Sequence, residues 1–341
     1  MWLVQPMAHA QLADSIRIIA KEGWIEKMDN YLTFKAALNN AYETFSQKNV
    51  GLDFALYPNI TTILNLGLDY RFISFSVGFA PKFFPGNGDD ETYGNTKTFS
   101  LGMSTIFSHW MAGVKYGRVQ GYYLHNTSEL IDYWQKGDPY LQLPKHETVT
   151  VNANLGYSFN DKLSFRSLTS FTERQLKSAG SFIPAIYFEF FRMDPHRPPS
   201  ARVFANPRSE NYELVIGPGY YYTYVHDERF FASIGAYLGA GFVHSKISIQ
   251  FVNDVANAYQ NDAALRWEGK AAIGYNGRSF FTGFYVNISD LYYEQNNNRG
   301  NVIQDLHAYY QFMIGVRLGA PKWLKRQMNK MEEKMEPYHK S

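Results

Sequence analysis

Residues 64–72 place Leu64, Leu66, Leu68, Tyr70 and Phe72 on one face and Asn65, Gly67, Asp69 and Arg71 on the other. A β-strand has a side-chain period of two, so this stretch has one apolar face and one small or polar face. The pattern restarts at Ile73, Phe75, Val77 and Phe79 against Ser74, Ser76 and Gly78. It returns over 148–159, 279–290 and 304–318, the last with Leu306, Ala308, Tyr310, Phe312, Ile314, Val316 and Leu318 on its apolar face. Less pure versions occupy 31–38, 50–57, 97–107, 110–120, 163–173, 181–191, 212–225, 229–243 and 265–275. Many of these segments are longer than the usual globular strand of about five or six residues. They match the roughly 9–11 residues that a tilted membrane-crossing strand needs. The expected fold is all-β: an antiparallel up-and-down transmembrane β-barrel, its apolar faces toward lipid.

Composition removes the competing classes. Hydrophobic residues are 45% of the 341 and aromatics 17%, yet mean hydropathy is only −0.35. No uninterrupted apolar run is long enough for a transmembrane helix. A net charge of +2 gives no electrostatic footprint for nucleic acid. The absence of cysteine excludes disulfides, Cys–zinc sites and thiol catalysis. The nine histidines show no metal-ligand spacing, and Gly235–Gly241 matches neither a phosphate loop nor a dinucleotide fingerprint. No metal and no cofactor are expected. No enzyme is expected either; a lipid-modifying outer-membrane enzyme would need Ser and His together on the lipid-facing side, and sequence order cannot reveal such a pair.

Ala8-His9-Ala10 has the small-x-small pattern of a signal-peptidase site, so residues 1–10 read as the remnant of an export signal. The expected divisions are a periplasmic segment at 11–30, the barrel at 31–319 and an amphipathic tail at 320–341. Asn276-Gly277 is the strongest hairpin signal, suited to a type I′ turn. Asn160-Asp161, His226-Asp227-Glu228 and Ser108-His109 resemble other tight turns. Longer polar stretches lie at 81–95, 121–147, 192–211, 244–264 and 291–303. Tight turns on one rim and long loops on the other are the habit of bacterial barrels. Twelve segments follow residue 61 and two precede it, giving an expectation of about twelve strands within a range of ten to fourteen. The rule breaks in one place: if 163–173 runs outward, the long 192–211 stretch falls on the periplasmic rim. One of these assignments must be wrong, 181–191 or an unseen strand near 202–207 being examples.

Several short motifs resemble a known family. Lys177-Ser-Ala-Gly-Ser-Phe182 follows Glu173-Arg174-Gln175, and Trp24-Ile25-Glu26 precedes the first strand. Tyr57-Pro58-Asn59, Gly121-Tyr122-Tyr123-Leu124, Phe159-Asn160 and Gly217-Pro218-Gly219-Tyr220 complete the set. Together they resemble the Bacteroidetes family known as domain of unknown function 4421, over roughly 24–318. Gly219 departs from the Asn expected there. The resemblance implies an exported, barrel-like protein and no particular activity.

The small-polar faces carry Asp69, Arg71, Lys115, Arg166, Arg266, Glu268, Lys270 and Arg317, which should point inward because lipid is costly for charges at mid-depth. Mixed in sign, they fit mutual pairing that fills a narrow lumen; a solute channel is the alternative. Aromatics near strand ends, namely Tyr70, Phe72, Phe107, Trp110, Tyr157, Phe159, Tyr220–Tyr224, Trp267 and Tyr275, suit interfacial girdles. Loop 121–147 offers Tyr122, Tyr123, Tyr133, Trp134, Asp138 and Tyr140 as binding candidates or as a lid over the mouth. Leu324, Met328, Met331 and Met335 recur at helical spacing among basic residues, an amphipathic helix suited to the inner-leaflet interface or a periplasmic partner. The expected surroundings are outer-membrane lipid, and oligomeric state is not legible.

Overall fold

The computed structural model describes residues 18–20, 23–40, 45–49, 52–196, 206–250, 255–295 and 301–335. Twelve antiparallel strands close into a ring. The first six are Tyr31–Asn40, Thr62–Tyr70, Ile73–Phe79, Lys97–Phe107, Trp110–Leu124 and Leu141–Tyr157. Two composite strands follow. Ala179–Phe182 continues as Ala185–Asp194 across Pro184, and Asn206–Gly217 continues as Gly219–His226 across Pro218. Proline has no N–H to give a ladder, so the strand breaks where it sits. Neighbouring backbone bridges the gap, with Leu238 N donating to Pro218 O at 3.0 Å and Ile183 N to Gly219 O at 2.7 Å. Phe230–Gln250, Val255–Asn276, Phe280–Gln295 and Asn301–Gly319 complete the wall. The last strand pairs with the first from Gln311–Asn39 to Gly319–Tyr31, which closes the barrel.

The segment 163–173 is not a strand of the wall. It is a series of turns that folds inward, and this resolves the turn-length conflict: 181–191 does belong to the barrel, and a strand does begin at Asn206. Ser164, Ser167, Thr169, Ser170 and Thr172 hydrogen-bond locally, offering the backbone turns in place of a ladder. The count of twelve survives because 31–40 occupies the place assigned to 163–173. The 50–57 segment forms a hairpin, Phe45–Asn49 with Leu52–Tyr57, which pairs with the outer end of Trp110–Leu124 through Leu56–Leu124 and Tyr57–Tyr123.

Much of the expected loop sequence is also strand. The hairpin Phe230–Gln250 with Val255–Asn276 leaves only 251–254 between its arms, although both arms lose alternation past residue 243. Twenty-two residues in Val255–Asn276 far exceed one bilayer crossing, so the outer half stands in water, where neither face need be apolar. The opposite rim is tight. Arg71, Ser108, Asp227 and Glu228 take positive φ in its turns, from 51° to 54°. Asn276-Gly277 closes a turn by a different geometry, as neither residue has positive φ.

Outward positions follow the predicted alternation. Leu238, Leu265, Ile273, Ile314 and Leu318 all face out and are exposed. Near the tight rim the outward rings are Trp110, Tyr157, Phe159, Phe182, Tyr220, Tyr222, Tyr224 and Phe230, several in mutual contact, such as Trp110–Tyr157 at 5.0 Å. Tyr70 and Phe72 depart from the expected girdle: both are buried under the C-terminal helix. Glycine on the inner face makes room for large neighbours. A Cβ on Gly235 would lie 2.1 Å from the Tyr221 ring, and one on Gly315 equally close to Phe281.

Leu238→Arg, on the outward face far from either rim, is expected to lower stability by about 2–4 kcal/mol, the usual range for a cation at mid-depth. Denaturant unfolding from lipid vesicles measures this, and an unchanged midpoint would contradict the lipid-facing assignment.

Candidate functional site

The inward segment 158–178 and the N-terminal strands make a plug at the tight-turned end of the lumen. Ile18–Ala20, Ile25–Lys27 and Glu173–Gln175 form a small antiparallel sheet. Arg174, almost wholly buried, forms an ion pair with Glu26. Its Nε donates to Asn276 O at 2.8 Å and its Nη2 to Glu228 O at 2.8 Å, tying the plug to two rim turns. Burial holds the Arg174 guanidinium below its ordinary value, and Glu26 pulls it back up. Glu26 also meets Arg278 at 3.2 Å.

Phe171 is the centre of the plug. It has no solvent exposure and lies stacked on Phe281, with centroids 4.2 Å apart and planes 9° apart. Its φ of 56° is an uncommon conformation for a non-glycine residue, held here by surrounding contacts. Arg317 lies over the Phe281 ring at 5.0 Å, donates to Phe171 O at 2.8 Å and to Asn276 Oδ1 at 2.6 Å, and also bonds Gly277 O. Asn276 Nδ2 donates to Ser167 O and Glu173 O. Thr172 Oγ1 donates to Arg71 O at 2.6 Å, and Lys35 Nζ to Thr169 O at 2.7 Å.

Above the plug, one wall is ionic and bulky. Arg266 bonds Glu213 at 2.8 Å with Glu189 at 3.9 Å. Glu268 takes Lys270 at 3.1 Å, Asn287 Nδ2 at 2.8 Å and the Tyr187 hydroxyl at 3.2 Å. Asp69 pairs with Lys35 at 3.0 Å. The opposite wall is built of small residues, including Ser76, Ser100, Ser104, Gly113 and Gly117, with Asn154 exposed to the interior. Lys115 also points inward there, solvent-reached and without an ion-pair partner among the described residues.

Two of the eight expected lumen charges are placed differently. Arg71 sits in a rim turn, where Nη1 meets Glu332 at 2.6 Å and Nη2 meets Asn329 at 2.7 Å on the C-terminal helix. A turn residue belongs to neither face of the wall, so strand parity does not govern it. Arg166 lies on the plug and pairs with Glu173 at 2.6 Å. Asp69, Lys115, Arg266, Glu268, Lys270 and Arg317 project from wall strands toward the lumen. The helix Lys322–Met335 docks on its own barrel: Met328 and Leu324 pack with Tyr70, Phe72 and Phe107, while Trp323 remains exposed. Burial pushes the Glu332 carboxyl above its ordinary value while Arg71 pulls it down.

The loop candidates divide in the same way. Tyr122 is buried, its hydroxyl 2.6 Å from Thr148 Oγ1, and packs with Leu56, Val119, Leu124 and Met193, holding the Phe45–Tyr57 hairpin against the rim. Buried in this way, it is not free to bind. Tyr123 is half-buried among Tyr57, Tyr93 and Tyr140. Tyr140 stacks on Tyr93 at 5.2 Å and meets Trp134 at 4.9 Å. Trp134 Nε1 donates to Pro139 O at 3.0 Å, and Asp138 accepts from Gln135 N, which fixes this loop. Tyr133, Trp134, Asp138, Tyr140 and Gln142 line an open groove of about 450 Å³.

The family model described as Domain of unknown function (DUF4421) matches residues 19–317. The chain belongs to this family. No functionally curated protein matches the sequence. Among solved structures, the chain is similar to OmpT, an outer membrane protein of Vibrio cholerae, at 7% identity and a TM-score of 0.34, over 88% of this chain and 99% of that one. It is also similar to the outer membrane protease OmpT of Escherichia coli at 7% identity and 0.31, over 84% and 92%. The ferric yersiniabactin uptake receptor FyuA of Yersinia pestis matches at 11% and 0.30, over 84% of this chain and 43% of the receptor. With scores this low, the architecture rests on its own ladder register. The motifs that carry the resemblance fall in three places: Trp24–Glu26, Glu173–Gln175, Lys177 and Asn160 in or beside the plug, Tyr57–Asn59 with Gly121–Leu124 at the long-looped rim, and Gly217–Tyr220 at the Pro218 break in the wall. Lys177 and Lys162 both sit over the Trp24 ring, at 5.5 and 5.1 Å.

The sequence reading missed Glu26, Phe171, Arg174 and Asn276 as members of the plug. The Ser/Thr density around Phe171 was the available signal, since such residues favour local turns over ladders. Phe171→Ala is expected to weaken the seating of the plug by about 3–5 kcal/mol, the cost of emptying a packed aromatic site. Limited trypsin cleavage at Lys162 or Arg166 should then appear while the barrel stays folded; unchanged protection would refute the central role of Phe171.

Proposed function

We propose that this protein is an outer-membrane β-barrel of a Gram-negative cell, with the family resemblance pointing to Bacteroidetes. In this reading it is non-enzymatic, does not conduct at rest, and presents a binding groove on its extracellular loops. The carrying observation is closure of one end: the Phe171–Arg174 plug fills the tight-turned end of the lumen. The apolar outward face and its aromatic rim support insertion in lipid. The fixed loop holding Trp134 and Tyr140 supports binding, because rigid rings beside a carboxylate provide contact area at little entropic cost.

A solute channel is the second reading. The solvent-reached wall at Lys115 and Asn154 favours it, since a wholly filled lumen would leave neither exposed. Planar-bilayer recording separates the two. Intact protein should show no steady conductance, and deletion of residues 161–176 should produce open steps. Steady conductance from intact protein would sink the closed-barrel reading.

A further inference from the structure

On the long-looped side the outward face carries a row of charges, which Lys246 continues beyond Glu210. Arg118, Arg192 and Glu210 lie on neighbouring strands in one cross-strand row, joined through Val149. One outward position closer to the membrane centre, the same strands present Tyr116, Val151, Phe190 and Tyr212, with the last two rings 5.0 Å apart. The change from aromatic to ionic therefore occurs in a single step of the pleat.

Three carboxylates on the same face are more deeply buried than the arginines they meet. Glu147 takes Arg118 Nε at 2.9 Å and Nη2 at 2.5 Å, and Arg192 Nη2 at 3.3 Å. Arg208 meets Glu210 at 2.5 Å and Asp194 at 3.6 Å. Formal charges cancel among these six, but their depth does not. The side chains of Arg118, Arg192 and Arg208 are 49%, 30% and 43% exposed, against 6%, 16% and 17% for Glu147, Asp194 and Glu210. The acids are foundations and the guanidinium groups form the surface. Neither Arg118 Nη1 nor Arg192 Nη1 takes part in these bonds to Glu147.

Charges on this face cannot rest in hydrocarbon without large cost, and their place just beyond an aromatic row is where lipid headgroups lie. Guanidinium matches phosphate geometry and is more weakly hydrated than ammonium. We propose that the Arg118–Arg192–Arg208 surface binds the phosphate groups of an outer-leaflet glycolipid on the outside of the barrel. This inference rests on the membrane reading but on neither the plug nor the loop groove.

The test uses full-length protein in detergent, titrated by native mass spectrometry with bis-phosphorylated lipid A and with the same lipid after phosphate removal. Wild type should bind the phosphorylated form at least tenfold more tightly, and inorganic phosphate at millimolar concentration should not displace it. R118Q/R192Q/R208Q should lose that preference. Because this leaves buried Glu147 with only His196, at 3.8 Å, as a basic neighbour among the described residues, R118Q/E147Q/R192Q is the companion variant, with heat-modifiable gel mobility reporting the fold. Equal binding of the two lipids by wild type overturns the proposal, and that comparison depends on neither variant. Retained preference in either folded variant also overturns it, and displacement by inorganic phosphate overturns the lipid as its source. Failure of wild type to insert into vesicles is a separate result that removes the membrane reading itself.

Discussion

Closure of the ring by Asn301–Gly319 on Tyr31–Asn40 is the constraint on which the rest depends. In lipid, an unpaired strand edge would leave a row of N–H and C=O groups without water, at several kcal/mol per group. Pairing the last strand with the first removes both edges. It also fixes where the ends of the chain go. An even number of antiparallel strands brings residue 30 and residue 320 to the same rim, where Ala320 N donates to Asn30 O at 2.8 Å. The N-terminal sheet and the C-terminal helix therefore gather at one end, with the 158–178 segment between them.

That gathering explains how buried arginines are tolerated. Arg174 and Arg317 lie deep in the structure, and a single carboxylate, Glu26, serves the first. Most of their hydrogen bonds go to carbonyls of rim turns: Asn276, Gly277 and Glu228. Turn carbonyls at a barrel rim have no ladder partner, so they are acceptors in need of donors. Two guanidinium groups satisfy several of them at once and fasten the plug to the wall. The plug is thus built from what closure leaves over.

The alternation of Leu64, Leu66 and Leu68 against Asn65, Gly67 and Asp69 made the wall legible, because a face toward lipid admits few exceptions. The same logic failed where lipid is absent. Past residue 243 the strands stand in water, alternation has no reason to persist, and ladder was read as loop. Residues 163–173 failed for the opposite reason. Phe165, Phe171 and the serines between them mimic period two, yet they pack against a lumen that surrounds them on every side. Site residues divide likewise. Arg266, Glu268 and Lys270 share one strand, so their meeting was readable, whereas Glu213 and Tyr187 join them only through the curvature of the barrel. Residues 1–10, read as an export remnant, lie outside the described residues.

Side-chain size is distributed unevenly around the lumen. Tyr187, Tyr221, Tyr237, Tyr285 and Tyr309 come from the later half of the chain, and Ser, Gly and Asn line the earlier half. Large residues need space opposite them, and the small wall supplies it, which is why Lys115 and Asn154 remain reachable by solvent. Those two residues lie on Trp110–Leu124 and Leu141–Tyr157, whose outer ends carry Tyr123 and meet Tyr140. A solvent-reached strip of the lumen, marked by Lys115 and Asn154, runs along the same two strands. The aromatic groove and the strip thus share two strands as their support: Tyr122 and Tyr123 lie at the end of the strand that carries Lys115, and Leu141 and Gln142 beside the groove begin the strand that carries Asn154.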